Sequence, residues 1–324
     1  MIITPFNKYI IGTKGLIFLL FFCLLCSAPV MSQQSPMFSQ YMFNMMNINP
    51  AYAGNRAVNN VTALYRNQWS GFPGSPQSAY ISWDKRKQDS NVGYGAQLYN
   101  DHLGAENTTG FQGFYSYRIP FKQSTLTLGA SAGAFAYGFK LLGENVWEPG
   151  DPSLTDENIF VPTFGMGALY FTDKWYVGLS IPTLLKTEIQ LENKVQAVNN
   201  FGPNRQLFVT GGYIFDIDRD ISLKPSFLVK TFAASTVQID LNMNAWYMNT
   251  YCLGASYRTG NYNNSGAFVG LFEYQINQQI RIGYAYDYTL SSINQFSQQT
   301  HEVLVRYEFD SNKSSYGIRS PRYY

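Results

Sequence analysis

Strict alternation of apolar and polar residues constrains this chain more than any other feature. Val237, Ile239, Leu241 and Met243 alternate with Gln238, Asp240, Asn242 and Asn244. Ile280, Ile282, Tyr284, Tyr286 and Tyr288 alternate with Arg281, Gly283, Ala285 and Asp287, and Val303, Val305, Tyr307 and Phe309 with Glu302, Leu304, Arg306 and Glu308. A period of two places successive side chains on opposite faces of a strand. Fourteen such runs, bounded by turn residues, cover 59–68, 77–84, 91–100, 108–118, 124–138, 163–172, 175–184, 205–215, 221–231, 236–244, 250–258, 265–274, 279–289 and 301–309. Most hold 9–11 residues, the length a tilted strand needs to cross a bilayer, whereas soluble strands run nearer about 5–6. The count is even, as closure of a single-chain bacterial barrel requires. The reading is an all-β chain, a transmembrane antiparallel β-barrel over 59–309. A soluble β-sandwich also alternates and is the competing architecture.

The connections supply a second test. Odd-numbered connections (69–76, 101–107, 139–162, 185–204, 232–235, 259–264 and 290–300) hold 80 residues, and the even-numbered ones only 27. Long loops on one side and tight turns on the other fit an outer-membrane barrel with extracellular loops and both termini periplasmic. Composition agrees: 14% charged residues and a mean hydropathy of −0.18 suit strands with one lipid-facing and one polar face. No run of about 20 apolar residues, as a helical span needs, is present.

The N-terminus reads as an address. Lys8 and Lys14 precede the apolar run Leu16 to Cys26, and Pro29-Val30-Met31-Ser32 follows it. This pattern predicts a signal peptide over 1–32, cut near Ser32. Its removal takes away two lysines, Cys23 and Cys26, leaving 21 basic against 21 acidic residues. A neutral chain argues against a nucleic-acid partner, and Cys252 alone cannot form an intrachain disulfide.

Candidate chemistry is sparse. The two histidines are His102 and His301. The pair His301-Glu302, near Ser291, Ser292 and Ser297, is the best fragment of a hydrolase, but a triad needs all three groups in reach. Asp216, Asp218 and Asp220 lack the glycine and terminal glutamate of an EF-hand loop and read as a polar turn. No cofactor or metal motif is found. The inward face is more informative. Arg66 and Gln68 on the first strand neighbour Glu302, Arg306 and Glu308 on the last; Lys224 and Lys230 face Asp240; Arg281 and Asp287 sit beside Glu302. Mixed signs on adjacent strands predict a lumen crosslinked by ion pairs in preference to a conduction path. Before the first strand, Gln33 to Arg56 is rich in Met and aromatics, and an apolar extension of this kind must be buried inside the barrel or against a partner.

That segment also carries a resemblance. Pro36-Met37-Phe38-Ser39-Gln40-Tyr41-Met42-Phe43-Asn44 and Asn49-Pro50-Ala51-Tyr52-Ala53-Gly54 resemble the opening of the PorP/SprF family of the type IX secretion system. Tyr65-Arg66-Asn67-Gln68-Trp69, Gly71-Phe72-Pro73-Gly74-Ser75-Pro76, Asn100-Asp101-His102-Leu103-Gly104, Leu223-Lys224-Pro225-Ser226 and Arg281-Ile282-Gly283-Tyr284-Ala285-Tyr286-Asp287-Tyr288 continue it. The resemblance implies a non-enzymatic outer-membrane component of type IX secretion in Bacteroidetes, often linked to gliding motility. Its implied partners are the periplasmic ring lipoprotein, peptidoglycan-associated components, and a secreted adhesin or other cargo. On this reading residues 33–58 form a periplasmic or plug segment, with Phe38, Gln40, Tyr41, Asn44, Asn49, Pro50 and Tyr52 as candidate partner-binding residues. The loops 139–162 and 185–204 would face the exported protein, and 310–324 would form a short periplasmic tail. A passive or hydrophobic-substrate channel is the alternative.

Overall fold

A computed structural model describes residues 37–56, 58–139, 157–185, 206–232, 236–259, 266–295 and 297–309. The strands are β1 (Asn59–Asn67), β2 (Gln77–Arg86), β3 (Val92–Leu103), β4 (Glu106–Pro120), β5 (Thr125–Phe139), β6 (Glu157–Phe171), β7 (Trp175–Ile181) and β8 (Gln206–Tyr213). There follow β9 (Phe215–Asp216), β10 (Ile221–Phe232), β11 (Thr236–Tyr247), β12 (Tyr251–Arg258), β13 (Ala267–Gln275), β14 (Ile280–Thr289) and β15 (Thr300–Phe309). All belong to one sheet, every neighbouring pair is antiparallel, and β1 pairs with β15 through Arg66↔Glu302 and Asn60↔Glu308. The sheet therefore closes on itself with no free edge, the condition for crossing hydrocarbon.

β8 and β9 are one crossing. Both pair with β10 in a single register, Gly212↔Ser226 and Phe215↔Leu223. The ladder is interrupted opposite Pro225, which has no N–H to donate. Counted this way the barrel has fourteen crossings, each overlapping a run that the alternation predicts.

The two faces are inverted relative to a soluble protein. On β14 the buried positions are Arg281, Gly283, Ala285 and Asp287, while Ile282, Tyr284, Tyr286 and Tyr288 point outward. Leu98, Phe111 and Leu253 are exposed at 55%, 54% and 69%. Such a belt is stable only in lipid.

Two expected loops are corrected. The connection expected at 101–107 is a tight turn at 104–105, with Gly104 in the left-handed region at φ 55°. β6 begins at Glu157, so 157–162 leave the expected 139–162 loop and join the wall. At 101–103 the strand outruns the apolar belt, and at 159–162 the consecutive apolar residues Ile159, Phe160 and Val161, followed by Pro162, hide the alternation, although Val161 is buried and Phe160 exposed. The asymmetry survives: the strand ends joined by 68–76, 182–205, 259–266 and 290–299 stand at one end of the barrel, which we call the loop end. Those at 87–91, 121–124, 172–174 and 276–279 lie at the other, the turn end. The expected signal peptide, its cleavage site near Ser32 and the 310–324 tail fall outside the described residues, as does most of the 185–204 loop.

Candidate functional site

The lumen holds the segment that precedes β1. Residues 37–56 form three 3-10 turns, Tyr41–Phe43, Met45–Asn47 and Pro50–Tyr52. Each is too short to persist alone, since helix nucleation is unfavourable. The third is the best defined locally: Pro50 sits at its first position, and Asn49 Oδ1 accepts the Ala51 N–H at 2.9 Å. The rest of the order comes from burial. Phe38, Tyr41, Met42, Phe43, Met45, Met46, Ile48, Ala51 and Ala53 are all in the core cluster. Burying a large apolar side chain contributes about 1.5–3 kcal/mol.

Toward the loop end, polar groups from five strands converge on Ser39. The Glu302 carboxylate accepts the backbone N–H of Ser39 at 2.8 Å and that of Gln40 at 2.7 Å, one on each oxygen. The Ser39 hydroxyl donates to Asp287 at 2.6 Å. Arg66 spans both acids, Nη1 to Glu302 at 3.1 Å and Nη2 to Asp287 at 2.9 Å. Arg258 pairs with Asp240 at 3.1 Å and lies 3.5 Å from Asp287. Charges this deeply placed are tolerable only when paired and fully hydrogen-bonded, and here the backbone of the lumen segment supplies part of the pairing.

Midway, Asn44 Nδ2 donates to Ser82 at 2.7 Å, Gln97 Nε2 to Asn47 at 3.0 Å, and Asn49 Nδ2 to the Ala168 carbonyl at 3.0 Å. Ser180 donates to the Ile48 carbonyl at 2.8 Å, and Asn242 to the Tyr41 hydroxyl. Toward the turn end, the Gly54 N–H donates to Asp84 at 3.0 Å and Ser116 donates to the Ala53 carbonyl at 2.7 Å. Arg56 reaches Glu308 at 3.2 Å, and Arg306 and Arg118 donate to the Phe43 and Gly54 carbonyls. A second charge group backs this end. Arg281 and Arg306 flank Glu273 at 3.5 and 3.6 Å. Lys224 Nζ and the Arg281 guanidinium lie 4.8 and 4.9 Å from the Trp246 ring.

Close approach is built into the wall as well. A Cβ on Gly129 would stand 2.2 Å from Ala51 N and 2.4 Å from Pro50 C, and one on Gly93 2.2 Å from Ala53 O. Only glycine allows backbone to lie directly on backbone there.

The structure brings together Arg66, Asp240, Asp287 and Glu302 around Ser39, and Arg281 and Arg306 around Glu273. Lys224 and Lys230 line the same interior but stand across from Asn244 and Gln238 in register, while Asp240 stands across from Leu228. Gln68 falls outside the network, past the end of β1, where its backbone N–H donates to the Pro76 carbonyl. Phe38, Gln40, Tyr41, Asn44, Asn49, Pro50 and Tyr52 are all buried in the lumen. A partner could reach them only by drawing the segment out. His301 and Glu302 occupy opposite faces of β15, so they cannot serve one catalytic site. His301 Nδ1 lies 2.7 Å from the Tyr284 hydroxyl on the exposed exterior. Asp218 Oδ1 accepts the N–H groups of Asp220 and Ile221, both at 2.7 Å, and so closes its turn. Ser39, Arg258, Glu273 and Asp84 escaped the sequence reading, although the last three occupy inward positions of alternating runs.

A closed barrel, apolar outside, with a charged interior filled by its own N-terminal segment, defines an outer-membrane β-barrel protein. The particular assignment follows from sequence: residues 30–307 match the family described as type IX secretion system membrane protein PorP/SprF, and the chain belongs to that family. It is accordingly an outer-membrane component of type IX secretion. No curated protein matches the chain. Among solved structures it is similar to the Acinetobacter baumannii outer membrane protein Omp33, at 11% identity and a TM-score of 0.49 over 79% of this chain and 100% of that one. It is also similar to the KdgM porin, at 9% identity and a TM-score of 0.37 over 77% and 99% of the two chains. An engineered Rh. blastica porin gives 11% and 0.36 over 78% and 99%.

Proposed function

We propose that the chain is a sealed, non-enzymatic docking body of the type IX system, which supports export or surface attachment of secreted proteins, adhesins of gliding cells included, without conducting them through its own lumen. The observation that carries this reading is the double acceptance by Glu302 of the Ser39 and Gln40 backbone N–H groups. An exported chain would have to break that latch, the paired charges around it and the core contacts of residues 38–53 to pass. The lumen segment then acts as an internal brace, and the surfaces left for partners are the two rims. The tight turns at 87–91, 121–124, 172–174 and 276–279 offer a compact periplasmic face to the ring lipoprotein and peptidoglycan-associated components. The long connections offer the opposite face to the secreted protein.

The test pairs conductance with co-purification. Intact protein reconstituted in planar bilayers is expected to give no steady channel, and protein solubilised from cells is expected to bring the ring lipoprotein with it. Deletion of 37–54 is expected to open a channel. Porin-sized conductance from the intact chain, with no ring lipoprotein retained, would overturn the proposal in favour of a passive channel.

A further inference from the structure

The lumen segment does not merely fill the barrel; its two ends contact opposite ends of the wall. Its last residues lie at the turn end: Arg56 on Glu308, Gly54 on Asp84, and Ala53 on Ser116. Those three wall residues stand near where β15 ends, β2 ends and β4 ends. Its middle, Asn44 to Asn49, bonds to Ser82, Gln97 and Ala168, within strands β2, β3 and β6. Its first residues lie toward the loop end. Ser39 sits on Glu302 and Asp287, and Met37 Sδ against Lys230. These neighbours stand near the start of β15, the end of β14 and the end of β10, all at the loop end. Along β15, Glu302 and Glu308 are six residues apart, about 20 Å at the rise of a strand. The segment thus covers most of the depth of the wall, folded into turns.

We infer that residues 37–56 thread the barrel from the turn end to the loop end, so that the chain enters the lumen at the face that carries the long connections. On this inference the chain enters the barrel from the loop end, against the expectation, drawn from the barrel rule, that both termini are periplasmic. The rule concerns where the first and last strands begin and end, and here a segment of the chain precedes the first strand and runs back through the lumen. The consequence is an interaction surface. The rim that faces an exported polypeptide then carries the start of the lumen segment, with Met37 against Lys230, together with the 68–76 and 290–299 connections. Those two connections are themselves joined, the Ser70 N–H donating to Gln299 O at 2.8 Å and the Gln298 N–H to Ser70 O at 2.7 Å. The inference builds on the orientation adopted under the proposed function, but threading itself is a statement about one face or the other.

Single cysteines separate the two. Cys252 is buried, so the wild-type chain serves as the blank for labelling. Ser35→Cys reports the amino end, Phe72→Cys the loop end and Gln278→Cys the turn end. Whole cells producing each full-length variant are treated with a membrane-impermeant maleimide, before and after lysis. Threading predicts that Ser35→Cys labels in the same condition as Phe72→Cys. If it labels with Gln278→Cys instead, or in neither condition, the inference is overturned. If Phe72→Cys and Gln278→Cys exchange places, the adopted orientation fails, while threading is still judged by which of the two Ser35→Cys follows.

Discussion

Glu302 and Ser39 are 263 residues apart in sequence, yet Glu302 Oε2 accepts the Ser39 backbone N–H at 2.8 Å. The contact ties the start of the lumen segment to the last strand, beside the seam where β15 meets β1. Its strength comes from geometry: the second oxygen takes the Gln40 N–H and Arg66 Nη1 shares the first. Glu302→Gln keeps the shape but turns one acceptor into a donor that faces an N–H, and leaves Arg66 short of a charge. Breaking one side of a buried ion pair costs about 3–5 kcal/mol. The variant is expected to convert from the folded to the unfolded gel mobility at a lower temperature and to show transient channel openings. An unchanged conversion temperature would remove Glu302 as the latch.

Gly129 and Gly270 make a matched pair of probes for the packing of the segment. A methyl group on Gly129 meets the Pro50–Ala51 backbone, which cannot turn aside as a side chain would. On Gly270 it meets nothing within 4 Å. Overpacking costs about 1–3 kcal/mol, while surface substitutions stay within about 0.5 kcal/mol. Gly129→Ala is therefore expected to lower the thermal conversion midpoint of the barrel, and Gly270→Ala to leave it in place. Equal behaviour of the two would mean that the segment does not rest on β5.

The wall was legible because alternation is a direct imprint of a sheet with lipid on one side. Val237 to Asn244 could be assigned to strand, and their faces sorted, with no other information. Legibility ended where that imprint ends. Asp101 and His102 lie on β3 beyond the apolar belt, so both faces are polar and the run reads as loop. The lumen segment has no period at all, because three short turns separated by extended residues impose none. Its burial followed from Met and aromatic content, but its course past Ser82, Asn49's carbonyl partners and Glu302 depends on contacts far apart in the chain. Gln68 shows the cost of extending a strand by one residue, since the side chain placed on the inner face belongs instead to a turn.

Trp246 anchors the charge group toward the turn end. Its ring lies 6.4 Å from Phe43 in an edge-on arrangement, with Lys224 and Arg281 at 4.8 and 4.9 Å. A desolvated cation over an aromatic face contributes about 2 kcal/mol, and truncating a buried tryptophan costs about 3–5 kcal/mol. Trp246→Phe keeps a smaller face for the cations and Trp246→Leu keeps none. Conversion midpoints are expected to fall in the order wild type, Trp246→Phe, Trp246→Leu. A Trp246→Leu midpoint equal to that of Trp246→Phe would show that an aromatic face, and with it the cation contacts, contributes nothing.

His301 gives the sharpest separation between a docking body and a hydrolase. Its ring stands on the exterior between Tyr284 and Tyr286, at 6.2 and 5.4 Å, while Glu302 points into the lumen. A base that cannot reach its orienting acid cannot assemble a triad. The exposed bond to Tyr284 is worth about 1 kcal/mol at most. In phospholipid vesicles, wild type and His301→Ala are expected to release fatty acid at the same background rate, with conversion midpoints that nearly coincide. Lipid turnover by the wild type that disappears in His301→Ala would reinstate the enzyme. The same experiment on Glu302→Gln is expected to shift the midpoint alone, because that carboxylate serves the lumen segment and faces no lipid.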